Sequence, residues 1–185
     1  MRADRLQAER CALVLVDYQS RLMPAIHDGT RVLQQGARLG RAARELGVPV
    51  IGTEQNPRGL GPNDDAVRAW CGQTLGKMHF DACEDGLLPA LAAARVPAPP
   101  EVVVAGCEAH VCLLQTALGL LRAGLRVWVA ADACGSRLAS NHALAMQRLQ
   151  AAGATVVSVE MVVFEWLHGC EHPRFRAVLP LLKTL

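Results

Sequence analysis

Three residues far apart in the chain, Asp17, Lys77 and Cys112, are of types that together can activate a sulfur nucleophile. Cys112 falls in the first turn of a helical pattern, where the positive end of the helix dipole favours the reactive thiolate. The same place also suits a small buried hydrophobe, because free cysteines are among the most buried residue types. Asp17 closes the apolar run CALVLV (11–16), where a carboxylate is costly unless hydrogen bonds or a cation meet it. A helix cap or a structural ion pair would satisfy it equally. Lys77 stands in GKMHF (76–80) and, taken alone, reads as a solvated charge. Brought together, the three form a Cys/Asp/Lys set that can activate a thiol as Ser/His/Asp activates a hydroxyl.

Gln19, Gln55 and Asn56 are polar groups on strand-end loops and could line a pocket, as could Phe80 close to Lys77. His110, two residues before Cys112, either touches substrate or caps the helix start. Trp70 and Trp166 are best explained by packing or subunit contact. Two tempting groups are discounted. His168, Cys170 and His172 would share a side only in an extended segment, yet they follow a helical pattern and precede Pro173. Cys107 and Cys112 lack the CxxC spacing of disulfide exchange.

The elements that must position these groups are legible as apolar patterns. Strands are expected at 11–16, 48–52, 74–79, 101–106, 125–132 and 154–160. Helices are expected at Thr30–Leu46, Leu87–Arg95, His110–Ala123, Ser140–Ala152, 161–167 and Pro173–Leu185, with Gly47 and Gly124 as terminators and VPAPPE as a break. The Gly-, Pro- and Asn-rich stretch Thr53–Asn63 is expected to form a loop. Six short buried strands alternating with helices predict one α/β domain over 1–185, a Rossmann-like three-layer α-β-α fold around a mostly parallel six-stranded sheet. Sites in such sheets lie beyond the carboxyl ends of the strands. Asp17, the Thr53–Asn63 loop, the Cys107–Cys112 turn and Asp132 should therefore share one rim.

Composition narrows the function. With 185 residues, 51% of them hydrophobic, the chain can bury one full core but not two. A net charge of +2 with scattered basic residues gives no footprint for nucleic acid or an anionic membrane, so a small-molecule substrate is expected. Seven cysteines in irregular spacing fit a reducing cytoplasm better than a disulfide framework. The charged N-terminus lacks a signal-peptide core, and no run of about 18 apolar residues predicts a membrane span.

The segments VLVDYQ (14–19), TEQNPRGLGP (53–62), KMHF (77–80), VAGCEAHVCLLQTALGLL (104–121), DACGSR (132–137) and VEMVVFEWL (159–167) resemble, in order and through nearly the whole chain, the isochorismatase-like hydrolases. That family includes nicotinamidases and N-carbamoylsarcosine amidohydrolases. The resemblance implies a catalytic triad of Asp17, Lys77 and Cys112, with Asp17 as proton carrier and Lys77 favouring the thiolate. It also implies a non-proline cis peptide between Cys107 and Glu108, and an oxyanion hole formed by the backbone N–H groups of Glu108 and Cys112. The implied reaction is cleavage of a small amide or ureide through a Cys thioester. Isochorismatase itself cleaves a vinyl ether, so membership leaves the bond class open. Nicotinamidases carry an Asp-x-His metal segment where this chain reads Thr53-Glu54-Gln55-Asn56-Pro57, so no metal and no cofactor are expected. Relatives form dimers or larger assemblies, which implies a homo-oligomer. A non-hydrolytic binding protein on the same scaffold is the competing reading, and a thiol redox protein would need a second cysteine within reach of Cys112.

Overall fold

A computed structural model describes residues 5–94 and 101–183. The VPAPPE break falls almost wholly outside them, as do the expected ends of two helices at Arg95 and Leu185. In chain order the elements are β1 Cys11–Val16, α1 Gly29–Glu45, β2 Val50–Gln55, α2 Pro57–Leu60, α3 Asp65–Arg68, β3 Gln73–Lys77 and α4 Leu87–Ala93. There follow β4 Glu101–Cys107, α5 Cys112–Arg122, β5 Arg126–Gly135, α6 Ala139–Ala151, β6 Thr155–Val157, α7 Val159–Leu167 and α8 Phe175–Lys183.

The six strands make one sheet in the order β3-β2-β1-β4-β5-β6, every neighbouring pair parallel. β1 and β4 lie at its centre and are buried at every residue, which is why β1 reads as an unbroken apolar run and β4 as one after Glu101, whose carboxylate accepts from Arg126 and the Trp128 indole. The chain steps outward one way from β1 through β3, then returns to the centre and steps the other way from β4 through β6. Right-handed crossovers then put helices on both faces. α1 packs with α3, α7 and α8, and α5 packs with α6 and the turn Ala82–Asp85. The direction reverses between β1 and β4, and that crevice is where such sheets place ligands. Its backbones approach closely: Gly106, at φ +142°, would bring a side-chain carbon within 2.0 Å of the Val16 carbonyl oxygen.

Three expectations are corrected. Thr53–Gln55 continue β2 rather than open a loop, because their partners in β3 extend the ladder to Gln55–Lys77, and Pro57–Leu60 then form a helical turn. β5 runs on to Gly135, so Asp132 lies inside it and not at its end. The ladder with β4 jumps from Val104–Val129 to Gly106–Cys134, and this irregularity bulges out the intervening residues. Asp132 Oδ1 instead accepts the Val159 amide N–H at 2.8 Å. Ser158 and Val159 leave the strand expected over 154–160, because the Ser158 hydroxyl accepts from Met161 N and caps α7.

Candidate active site

Asp17 is the first residue past β1 and adopts a left-handed conformation at φ 53°. Its amide donates to the Thr53 carbonyl at 3.1 Å, and its Oδ1 accepts the Thr53 hydroxyl at 2.7 Å. Oδ2 lies 2.8 Å from Lys77 Nζ, an ion pair without hydrogen-bond alignment. Both side chains are fully buried, where either charge alone would be expensive.

Lys77 reaches this point from the sheet margin. It is the last residue of β3, opposite Gln55 of β2, and strands lie about 4.8 Å apart, so its ammonium must cross above β2 to meet Asp17. A long unbranched stem ending in a compact cation can do this. Nζ also donates to Gln55 Oε1 at 2.6 Å and to the carbonyls of His79 and Phe80 at 3.3 and 3.4 Å.

Cys112 opens α5, and its thiol donates to Gln55 Oε1 at 3.8 Å. The same Gln55 Oε1 accepts from Lys77 Nζ, which lies 2.8 Å from Asp17 Oδ2, so the structure brings these three side chains around one point. Of these three residues Cys112 keeps the most surface, 6% against 0% for Asp17 and 1% for Lys77. Burial, and after it the Asp17 charge, push the Cys112 thiol up to about 12, against the smaller opposing pull of Lys77. That direction favours the protonated thiol in the resting protein. Alkylation of Cys112 by iodoacetamide, followed by peptide mass mapping, should accelerate about tenfold per pH unit up to pH 10 without levelling off. Free cysteine in the same buffer levels off near its pKa of about 8.5.

The peptide bond between Cys107 and Glu108 is cis. The Glu108 carboxylate turns to Arg137, accepting its backbone N–H at 2.9 Å and its Nε at 3.1 Å. Among the described residues, neither the Glu108 nor the Cys112 amide N–H has a protein acceptor. His110 does not cap α5, whose N-cap residue is Val111. Its ring nitrogens instead meet Ser136 Oγ at 3.0 Å and Asn141 Nδ2 at 3.3 Å, tying the turn before α5 to the segment after β5.

Gln19 is fully buried and acts as a brace. Its Oε1 accepts the Gln55 amide at 2.9 Å, and its Nε2 donates to the carbonyls of Gln55 and Gly61 at 3.0 and 2.6 Å. Gln55 touches the triad directly. Asn56, left-handed at φ 39°, lines a cavity of about 530 Å³ with Pro57, Gly76, Lys77, Met78 and Asp85. Phe80 exposes 49% of its surface, while its carbonyl faces Lys77. Thr53, which orients Asp17, has no role in the sequence reading. The signal available was its place two positions before Gln55 on the same strand. His172 Nδ1 accepts from Arg174 N and His168 Nε2 contacts Arg5. Among the described residues no group of three or more His, Cys, Asp or Glu side chains is arranged to hold a metal, and all seven cysteines are free.

An all-parallel three-layer α/β domain, with a buried carboxylate–ammonium pair beside a cysteine at its central crevice, defines the class to which this fold and site correspond. The chain belongs to the isochorismatase-like hydrolase family: residues 11–161 match the model of the isochorismatase domain. It is 33% identical to isochorismatase domain-containing protein 2 of Rattus norvegicus, over 97% of this chain and 84% of that one. A Caenorhabditis elegans structure described as MAR1 ribonuclease superposes with a TM-score of 0.90 at 31% identity, over 98% of this chain and 93% of its own. Escherichia coli YcaC, described as an octameric hydrolase of unknown specificity, shares the fold with a TM-score of 0.90 at 23% identity, over 98% and 91% of the two chains.

Proposed function

We propose that the protein is a cysteine hydrolase that cleaves a C–N bond of a small amide or ureide through a thioester on Cys112. The observation that carries this reading is the convergence of Cys112, Asp17, Lys77 and Gln55 in one buried cluster at the β1/β4 crevice. As the sulfur attacks the carbonyl carbon, the thiol proton passes to the Asp17 carboxylate, and the carbonyl π electrons move onto oxygen. The amide N–H groups of Glu108 and Cys112 meet the resulting oxyanion, each such donor being worth about 3 kcal/mol in the transition state. Collapse breaks the C–N bond, and the proton on Asp17 leaves with the amine. Water then attacks the thioester with Asp17 again as base, releasing the acid and restoring the thiol. Lys77 stays charged throughout, holding Asp17 and opposing the build-up of negative charge next to it.

A small substrate fits a cluster whose members are all at least nine-tenths buried. The free cysteines suit a reducing compartment such as the cytoplasm. Exposed Met78, Phe80, Leu138 and Leu144 suit coverage by further copies of the chain, in keeping with the octameric E. coli neighbour. The test is ammonia or amine release across a panel of small amides and ureides, with Cys112→Ala as control. Turnover should fall to background in the variant, with a substrate-derived mass adduct on Cys112 in the native protein. Cleavage of RNA that survives Cys112→Ala, with no amide turned over, would replace this reading with the activity described for the nematode neighbour.

A further inference from the structure

We propose that Asp85 is a positioning residue that fixes Lys77 and Gln55 through the turn Met78–Phe80, an inference that rests on the triad reading above. Asp85 Oδ2 accepts the backbone N–H groups of both Met78 and His79 at 2.8 Å. Its Oδ1 meets His79 Nδ1 at 3.1 Å. With the N–H groups of Met78 and His79 taken from one side, these two residues and the Phe80 that follows present their carbonyls to the site. Met78 O accepts Gln55 Nε2 at 2.8 Å, while His79 O and Phe80 O accept Lys77 Nζ.

The amide of Gln55 is thereby oriented. With Nε2 held by Met78, Oε1 must point at the Lys77 ammonium and the Cys112 sulfur. One carboxylate outside the buried cluster thus holds two of the residues whose carbonyls fix Gln55 and Lys77 inside it. Charge-assisted bonds of this kind are about twice as strong as neutral ones. The direction of titration agrees: the backbone N–H of His79, with lesser help from its ring and from Met78, holds the Asp85 carboxyl below its ordinary range. The Asp85 hydrogen bond in turn raises His79. Ala82 N donates to Thr116 Oγ1, and Thr116 Oγ1 to Phe80 O, which anchors the far end of the turn to α5.

The chain holds two lysines, Lys77 and an exposed Lys183, so ¹⁵N-lysine labelling isolates the relevant group. In the native protein the buried Lys77 ammonium should give a resolved, slowly exchanging ¹⁵Nζ–H signal that persists in Lys183→Arg. Asp85→Ala should raise its solvent exchange at least about tenfold or broaden it away, because the clamp no longer suppresses local opening. Asp85→Asn, whose amide oxygen can still accept both N–H groups, should retain the signal. Asp64→Ala, which removes a comparable carboxylate cap at Ala66 N, should leave it unchanged. An unaltered Lys77 signal in Asp85→Ala, or its loss in a folded Asp85→Asn, would overturn the clamp. Where Asp85→Ala does not fold, the Asn variant decides alone. Absence of the signal in the native protein would instead sink the triad arrangement itself, so the two failures are distinguishable.

Discussion

Asp17→Asn should lower turnover of any substrate found by about 10⁴-fold while making Cys112 alkylate faster. The two effects have opposite signs because Asp17 acts on the sulfur in two ways. As a base it receives the thiol proton during attack, which an amide cannot do. With the thiol at about 12, the spontaneous thiolate fraction at pH 7 is only roughly 10⁻⁵, so loss of the base is severe. As a fixed negative charge, the same carboxylate raises the thiol, and its removal leaves Lys77 favouring the thiolate unopposed. The measurements are kcat on the best amide and the iodoacetamide rate at Cys112. Slower alkylation together with unchanged turnover would remove Asp17 from the mechanism.

Lys77→Met reverses the second sign. The substitution keeps the length of the stem but strips the charge, so the Asp17 carboxylate is left buried with only the Thr53 hydroxyl and no cation. Breaking a buried pair from one side costs about 3–5 kcal/mol, read as a lower denaturant midpoint at neutral pH. Alkylation of Cys112 should slow, since the neighbouring cation that lowers the thiol is gone. Turnover should fall by at least about a thousandfold, comparable to the loss of one strong electrostatic contact in a transition state. The double variant Asp17→Asn/Lys77→Met removes both charges and should recover most of the lost stability without recovering turnover. A double variant as unstable as Lys77→Met would show that the cost was packing, not charge.

The central strands were legible because strands buried on both faces are apolar along nearly their whole length, as CALVLV and the VVVAG that follows Glu101 are. The ends of β2 and β5 were not. Thr53-Glu54-Gln55 precede a turn-rich run and carry polar side chains, yet the ladder to β3 fixes them as strand, and no local preference encodes that partner. Asp132 looked like a strand terminus because the apolar run stops there, whereas the bulge opposite Ala105 carries the strand three residues further. Within the site, the roles of Asp17, Lys77 and Cys112 came from their types and the family resemblance. The contacts of Gln55 with Lys77 and of Asp85 with the Met78–Phe80 turn depend on which strands are neighbours and on the path of the chain. Those are properties of the folded sheet rather than of any window of residues. The helix dipole at Cys112 is visible in a sequence, but the depth of burial that opposes it is not.

The outermost position of β3 has an evolutionary consequence. A sheet's margin is ordinarily where insertions and slips are most easily absorbed, because few neighbours object. Here a slip of a single residue in Gln73–Lys77 would turn the ammonium to the opposite side and put Gly76 or Met78 where the cation belongs. This edge strand is thus denied the freedom its place would otherwise allow.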